Sequence, residues 1–347
     1  MVNNGFSSKL LVIKNKKNRV HDDMYLNNKN IFLAGSTGLA GTAIIERLLK
    51  YYPSIKIRAA YHYAEPFIRD DRITYVQGDL SSLSECKGMV SGCDCAIMAA
   101  ARTSGAAVLT EQPWQQVTEN VVMNTVMLQA FYDMRIRRII YISSASLYHD
   151  MEGFIKEDDL DLNKDPSAAY MGIGWVIRFV EKLCKFWHNQ GMEIVIARAA
   201  NIFGPYARFN SVTSNFIPAL IRKAVERIDP FEVWGSPEVT RDVIFVDDFA
   251  RAIIMMLDNP SITFDIFNIG SGVKTTVGDV VHWALKYSGH KPSKLVYNDH
   301  KPVTIPFRVL DCSKAKTVLG WEPENTVEEG IRKTVAWWKE NKDRWKK

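Results

Sequence analysis

Cysteine is scarce in this chain. The five (Cys86, Cys93, Cys95, Cys184 and Cys312) show neither the framework spacing of a disulfide-stapled domain nor the paired spacing of a zinc site. That usage suits a reducing, cytoplasmic setting, and no metal site is expected. Any run of about 18 apolar residues is also missing, which excludes a membrane-spanning helix. Charge of one sign is not in surplus: 44 Lys and Arg stand against 39 Asp and Glu, a net +5. Much of that excess sits at the ends, in Lys9, Lys14, Lys16, Lys17 and Arg19 and in Lys342, Arg344, Lys346 and Lys347. Nucleic-acid binding would call for a concentrated basic face with interleaved aromatics, and none is present. Repeats and low-complexity tracts are absent as well. What remains is ordinary globular composition, 47% hydrophobic and 24% charged.

Residues 1–29 are rich in Asn and Lys, carry no signal-peptide pattern, and read as an arm before the fold. From Asn30 short apolar runs alternate with helical patterns, the mark of a parallel sheet with crossover helices. Strands are expected at Ile31–Ala34, Ile55–Tyr61, Ile73–Val76, Cys95–Ala99, Arg138–Ser143 and Glu193–Ala197. Helices are expected at Ala40–Tyr51, Val117–Met134 and Ala168–Asn189. After Pro205 the alternation loosens around a helix at Phe216–Glu226 and a last one at Val327–Asn341. The fold class is therefore α/β, a Rossmann doubly wound parallel sheet with a smaller C-terminal substrate-binding cap. The cofactor half covers 30–205, and 206–347 is mainly the cap, interleaved with the core.

Gly35-Ser36-Thr37-Gly38-Leu39-Ala40-Gly41 follows the first strand and opens the first helix. Glycines there permit a tight turn and let N–H groups and the positive helix end approach a pyrophosphate, so the loop points to NAD or NADP. An acid at the end of the second strand would favour NAD, but Arg58-Ala59-Ala60-Tyr61-His62-Tyr63 has none. Arg58 or His62 could receive a 2′-phosphate, which tilts the choice toward NADP; both could equally be ordinary surface residues. Asp79 and Leu80 close the third strand, where an acceptor could meet the adenine amine. Ala99, Ala100 and Ala101 close the fourth, with side chains small enough for the cofactor to pass.

The glycine loop, Gly78-Asp79-Leu80, Ser143-Ser144-Ala145-Ser146-Leu147-Tyr148, Asn201-Ile202-Phe203-Gly204-Pro205 and Arg241-Asp242 with Val246-Asp247-Asp248 resemble the extended short-chain dehydrogenase/reductases. These are nucleotide-sugar epimerases, dehydratases and reductases. The second half resembles most the GDP-fucose synthases. The resemblance implies that Arg241 and Arg308 grip a sugar-nucleotide diphosphate, with Lys223 nearby and Trp234 beside the base, unless Trp234 is a core residue. Ser146, Asn201 and Asn215 would complete the substrate side. It also implies a homodimer through a four-helix contact, with Val121, Val122, Val126, Met127, Ile177 and Val180 contributing.

The pattern is broken in places. Ser146 stands at the epimerising Cys position and Asn215 at the epimerising His position, so the epimerase/reductase activity of the GDP-fucose synthases does not carry over. The proton-transfer dyad departs as well. The family's chemistry uses a Ser with a Tyr and a Lys spaced i, i+4 on one helix, the Lys lowering the phenol's pKa. Ser144 fills the Ser position. If Tyr170 is the Tyr, Gly174 stands where Lys should be. In the register that joins Ile173-Gly174-Trp175-Val176-Ile177 ungapped to Glu181-Lys182-Leu183-Cys184, Ile173 and Ile177 take the two positions. Either way the Lys is absent. Two functions stay open: an NAD(P)-dependent enzyme on a nucleotide-linked sugar, GDP-sugar favoured, with an altered site in which Tyr170 is recruited, or a catalytically silent binder that partners or regulates such an enzyme.

Overall fold

The computed structural model describes residues 24–103, 113–211, 213–298 and 308–345. Seven strands form its central sheet: β1 (Asn30–Ala34), β2 (Lys56–Tyr61), β3 (Ile73–Gln77), β4 (Cys95–Met98), β5 (Arg138–Ser144), β6 (Glu193–Ala199) and β7 (Phe264–Ile269). Their spatial order is β7-β6-β5-β4-β1-β2-β3, and every pairing is parallel. The order reverses between β1 and β4, which opens a crevice at their C-terminal ends. The helices are α1 (Leu39–Tyr51), α2 (Leu83–Val90), α3 (Thr118–Asp133), α4 (Met171–Asn189), α5 (Phe216–Val225), α6 (Val246–Leu257), α7 (Val277–Ser288) and α8 (Val327–Asn341).

Strand alternation feeds two cores. Ile31 and Leu33 of β1 pack with α1 and α6, whereas Phe32 and Ala34 face α2, α3 and α4. A third core joins α5, α7 and α8, where Trp338 stacks on Phe209 with centroids 4.1 Å apart. Trp337 and Trp338 are thus packing residues.

The chain crosses 205 and comes back. Both α6 and β7 belong to the sheet half although they follow the cap's first helix. Of the arm expected over 1–29, residues 1–23 lie outside the described residues. Residues 24–29 are part of the fold: Leu26 is fully buried, and its N–H donates to Asp258 Oδ1 at 2.8 Å.

Arg138, at the start of β5, is buried and holds the end of α6. Its guanidinium donates to the carbonyls of Met256, Leu257, Asn259 and Ile262 and pairs with Glu193 at 3.1 Å. These are carbonyls that a helix end and the loop after it would otherwise leave without partners.

On the outer side, Val122 and Tyr132 of α3 and Met171, Trp175, Phe179 and Phe186 of α4 are exposed. Met127, Ile177 and Val180, expected at a contact between subunits, are instead inside the monomer, because their side of each helix faces the sheet or the turn at 145–147. Among the described residues no helix is long and apolar enough to cross a membrane, and no cluster of His, Cys, Asp and Glu could hold a metal.

Candidate functional site

The glycine loop joins β1 to α1 at the crevice. Gly35 has φ +78°, and a Cβ there would stand 2.7 Å from Ala99 O and Ala100 N, so the end of β4 presses directly on the turn. Ser36 is buried; its N–H and hydroxyl both donate to Ala60 O, at 3.1 and 2.8 Å, which pins the loop to β2. Thr37 is half-buried, and Leu39 opens the helix and packs at the edge of two cores. Gly38 is exposed at the N-cap of α1 in ordinary extended backbone, with only Gly35 O within reach of a Cβ, at 3.3 Å. Gly41 has no such room, since a Cβ would collide with Gly35 O. No acid occupies the first turn of α1, so its positive end is uncompensated. This cradle fits a pyrophosphate.

Around the cradle the sequence candidates separate. Ala99 and Ala100 are half-buried against the loop and Ala101 is exposed. Asp79 is exposed at the end of β3, its Oδ1 accepting the Ser81 N–H at 2.8 Å; Ser81's N–H and hydroxyl hold its carboxyl below the usual range. Leu80 is half-buried beside it. His62 is exposed just past the end of β2, its ring 3.7 Å from that of Tyr63. Arg58 sits elsewhere. It pairs with Phe32 inside the sheet, and its guanidinium donates to Met89 O at 3.4 Å and Ser91 O at 2.5 Å at the end of α2. The expectation that Arg58 could meet a ribose phosphate is corrected on this ground: it lies three residues short of the strand end and holds helix carbonyls.

Beyond β5 a second group of candidates converges. Ser144, Ser146, Tyr170, Asn201, Arg241 and Arg308 line one cleft of about 60 Å³ with Thr240, Asp242 and Leu310. Ser144 caps the short turn Ala145–Leu147, and its hydroxyl lies 3.1 Å from that of Ser146. Tyr170 is the N-cap of α4. Arg241 lies on the ribbon that pairs 240–241 with 275–276, and Arg308 on the ribbon that pairs 308–310 with 153–155. Burial lowers the pKa of both guanidiniums, and the Tyr170 phenol opposes this for each. Arg308 is also disfavoured by the charge of Arg241, and its Nη1 is buried with no hydrogen-bond partner. Two cations thus face one cleft, one of them with an unanswered donor.

Three substrate candidates do not join it. Lys223 donates to Glu232 O at 2.8 Å, tying α5 to the ribbon of 231–234, and burial lowers its pKa. Asn215 is the exposed N-cap of α5. Trp234 is 52% exposed, so the core-packing alternative does not hold. Tyr148 is not a cleft group either. It is fully buried, donates to Asn268 Oδ1 at 2.7 Å and accepts from Arg198 at 3.0 Å, and burial pushes its pKa up to about 12. Arg198 in turn forms a two-pronged pair with Glu181.

The face of α4 that meets the turn at 145–147 carries Gly174, Ile173 and Ile177, with the buried guanidinium of Arg178 donating to Leu147 O at 2.8 Å. A Cβ on Gly174 would stand 2.9 Å from Ser146 O, which leaves no room there for a longer side chain. Ile177 is buried with Leu147, Tyr148, Ile155 and Leu310, and Ile173 packs at the edge of the same cluster. Asp242 figures in the sequence only as the second residue of the Arg241-Asp242 motif, with no role of its own. No sequence signal marks its contacts, which lie 29 and 68 residues away at Ser271 and Leu310.

A model of the NAD dependent epimerase/dehydratase family matches residues 31–270. A putative GDP-L-fucose synthase 2 of Arabidopsis thaliana is 26% identical over 321 residues, 90% of this chain and 92% of that protein. The GDP-L-fucose synthase of Sinorhizobium fredii is also 26% identical, over 90% of this chain and 96% of its own length. Among solved structures, UDP-glucose 4-epimerase of Thermotoga maritima, determined with UDP-glucose, superposes with a TM-score of 0.79 at 20% identity. That match covers 90% of this chain and 99% of the other, and it speaks for the fold alone.

Proposed function

Because the chain belongs to the NAD dependent epimerase/dehydratase family, an extended short-chain dehydrogenase/reductase group of nucleotide-sugar enzymes, we propose that it is an NAD(P)-dependent enzyme acting on a GDP-linked sugar through an altered proton-transfer site. The observation that carries this reading is the Arg241–Arg308 pair beside Ser144, with Arg308 Nη1 buried and unpartnered. A buried cation without a partner is costly, and a diphosphate would satisfy both arginines with charge-assisted contacts. The preference for GDP rests on the relatives' names, and that for NADP over NAD rests on His62, Arg58 being engaged elsewhere.

A bound nicotinamide supplies the hydride acceptor and donor. The residues that would hold it are Gly35, Ser36, Thr37, Gly38, Leu39 and Gly41 at the pyrophosphate, Asp79 and Leu80 at the adenine, and Ala99 to Ala101 along its path. In this reading Ser144 orients the sugar hydroxyl and Tyr170 exchanges its proton, while the two arginines hold the diphosphate. Asn201 and Ser146 hold the sugar, while Asn215, Lys223 and Trp234 lie further out toward the base. Two subunits meet through the apolar outer faces of α3 and α4 in a cytoplasmic homodimer.

A second reading is favoured by Ile173 and Ile177. With no Lys on the inner face of α4, the chain would bind both ligands without turning over. Titration with GDP and UDP followed by melting temperature, then turnover assays on GDP-sugars with NADP and NAD, tests both readings. Stabilisation by GDP with turnover supports the first. Stabilisation without turnover supports the second, and no shift with either nucleotide sinks both.

A further inference from the structure

We propose that Asp242 is the positioning residue of the arginine cleft: its buried carboxylate ties the strand bearing Arg308 to the segment bearing Arg241 and sets the spacing of the two guanidiniums. The inference rests on the diphosphate reading of that cleft. Arg241 and Arg308 arrive on separate ribbons, one paired with 275–276 and the other with 153–155, and these two ribbons form no common sheet. Something else must hold them in register. Asp242 Oδ2 accepts the Leu310 N–H at 3.0 Å, two residues beyond Arg308. Its Oδ1 accepts the N–H and the hydroxyl of Ser271, at 2.8 and 2.9 Å. Its own carbonyl accepts the Asn201 side-chain amide at 3.1 Å. One residue thus anchors three members of the cleft: its chain neighbour Arg241, Arg308 through Leu310, and Asn201.

The carboxylate is committed to these neutral donors. Asp242 is 4% exposed, and a Cβ on Gly270 would run into its Oδ2, so the loop at 270–272 closes over it with nothing to spare. An asparagine in its place keeps the shape but must turn its NH2 toward either the Leu310 or the Ser271 N–H. Donor would then face donor in a buried site, and one of the two ties would be lost.

The test is calorimetric titration of the full chain with GDP and with GMP. Asp242→Asn is expected to weaken GDP by roughly tenfold or more and to narrow the preference for GDP over GMP, because the second guanidinium no longer meets the second phosphate. Asp248→Asn is the control. That residue is equally buried and accepts the N–H groups of Glu324 and Asn325 away from the cleft. It should lower the melting temperature yet leave GDP affinity unchanged. Wild-type GDP affinity in folded Asp242→Asn, or an equal loss in Asp248→Asn, overturns the proposal. If Asp242→Asn does not fold, Ser271→Ala removes one donor to the same carboxylate and should cost about threefold in GDP affinity; no change there overturns it too. Failure of the unmodified protein to bind either nucleotide would bring down the diphosphate reading itself, and this inference with it.

Discussion

Gly41 faces the carbonyl oxygen of Gly35 so closely that no Cβ could stand between them. The third glycine of the loop is there for packing, the first for a left-handed turn under the end of β4, and only Gly38 opens onto solvent. Substitutions at the second and third glycines should therefore part ways. Gly38→Val keeps its melting temperature and loses NAD(P) binding, read by quenching of protein fluorescence, since the side chain fills the pyrophosphate's space. Gly41→Ala costs about 1–3 kcal/mol of folding stability, read by urea denaturation. Full cofactor affinity in a folded Gly38→Val would rule out the loop as the cofactor site.

Arg308 should show a conflict between stability and binding. Its Nη1 is buried without a partner, so Arg308→Met removes an uncompensated cation while keeping most of the packing. The variant is expected to melt at a higher temperature than the unmodified protein and to bind GDP more weakly by about 1.5–3 kcal/mol. A lower melting temperature together with unchanged GDP affinity would mean that the charge serves the fold.

The inner face of α4 can be probed at Tyr170 and at Ile177. Tyr170→Phe should abolish turnover and spare both GDP and cofactor binding, because Tyr170 lines the cleft without carrying a core. Turnover that persists in Tyr170→Phe would exclude it as the proton-transfer group. Restoring the family's lysine as Ile177→Lys puts a charge among Leu147, Tyr148, Ile155 and Leu310. A loss of about 3 kcal/mol or more is expected, so a Tyr–Lys dyad cannot be built by that step alone.

Subunit association has a single-residue test at Phe179, which is 45% exposed in the α4 stripe between Trp175 and Phe186. Phe179→Glu should turn a dimer into a monomer in sedimentation at micromolar concentration, with no loss of monomer stability. A monomeric unmodified protein would remove the four-helix contact from the account.

Much of the sheet half is legible from neighbours in sequence. The first strand, the glycine turn and α1 are each specified within about 20 residues, and the observed bounds differ from the expected ones by a residue or so. Strand β7 was not legible for a physical reason. Asp265 and Asn268 interrupt its apolar run, and Asn268 is fully buried on partners far upstream, the Tyr148 hydroxyl and the Ile155 carbonyl, which no local pattern reveals. The same limit applies to Arg58 and Asp242. Which end of a strand a residue occupies can be read locally, but that the end of α2 lies beside Arg58, or the Leu310 N–H beside Asp242, depends on contacts across the fold. Motifs mark the cleft residues Ser144, Asn201 and Arg241, and they include Asp242 too, but its role in tying the cleft together is carried by contacts no motif shows.

The buried guanidinium of Arg138 makes the two halves of the chain inseparable. Every carbonyl it holds lies between residues 256 and 262, more than 110 positions downstream. Until that stretch has been synthesised and docked, the guanidinium has Glu193 beside it and none of its four carbonyl partners. A chain cut near residue 205 would keep Glu193 but lose all four carbonyls, leaving most of the guanidinium's donors without these partners, however complete its cofactor loop looked. The cofactor half of the sheet is thus completed only by residues that follow the cap's first helix in the chain.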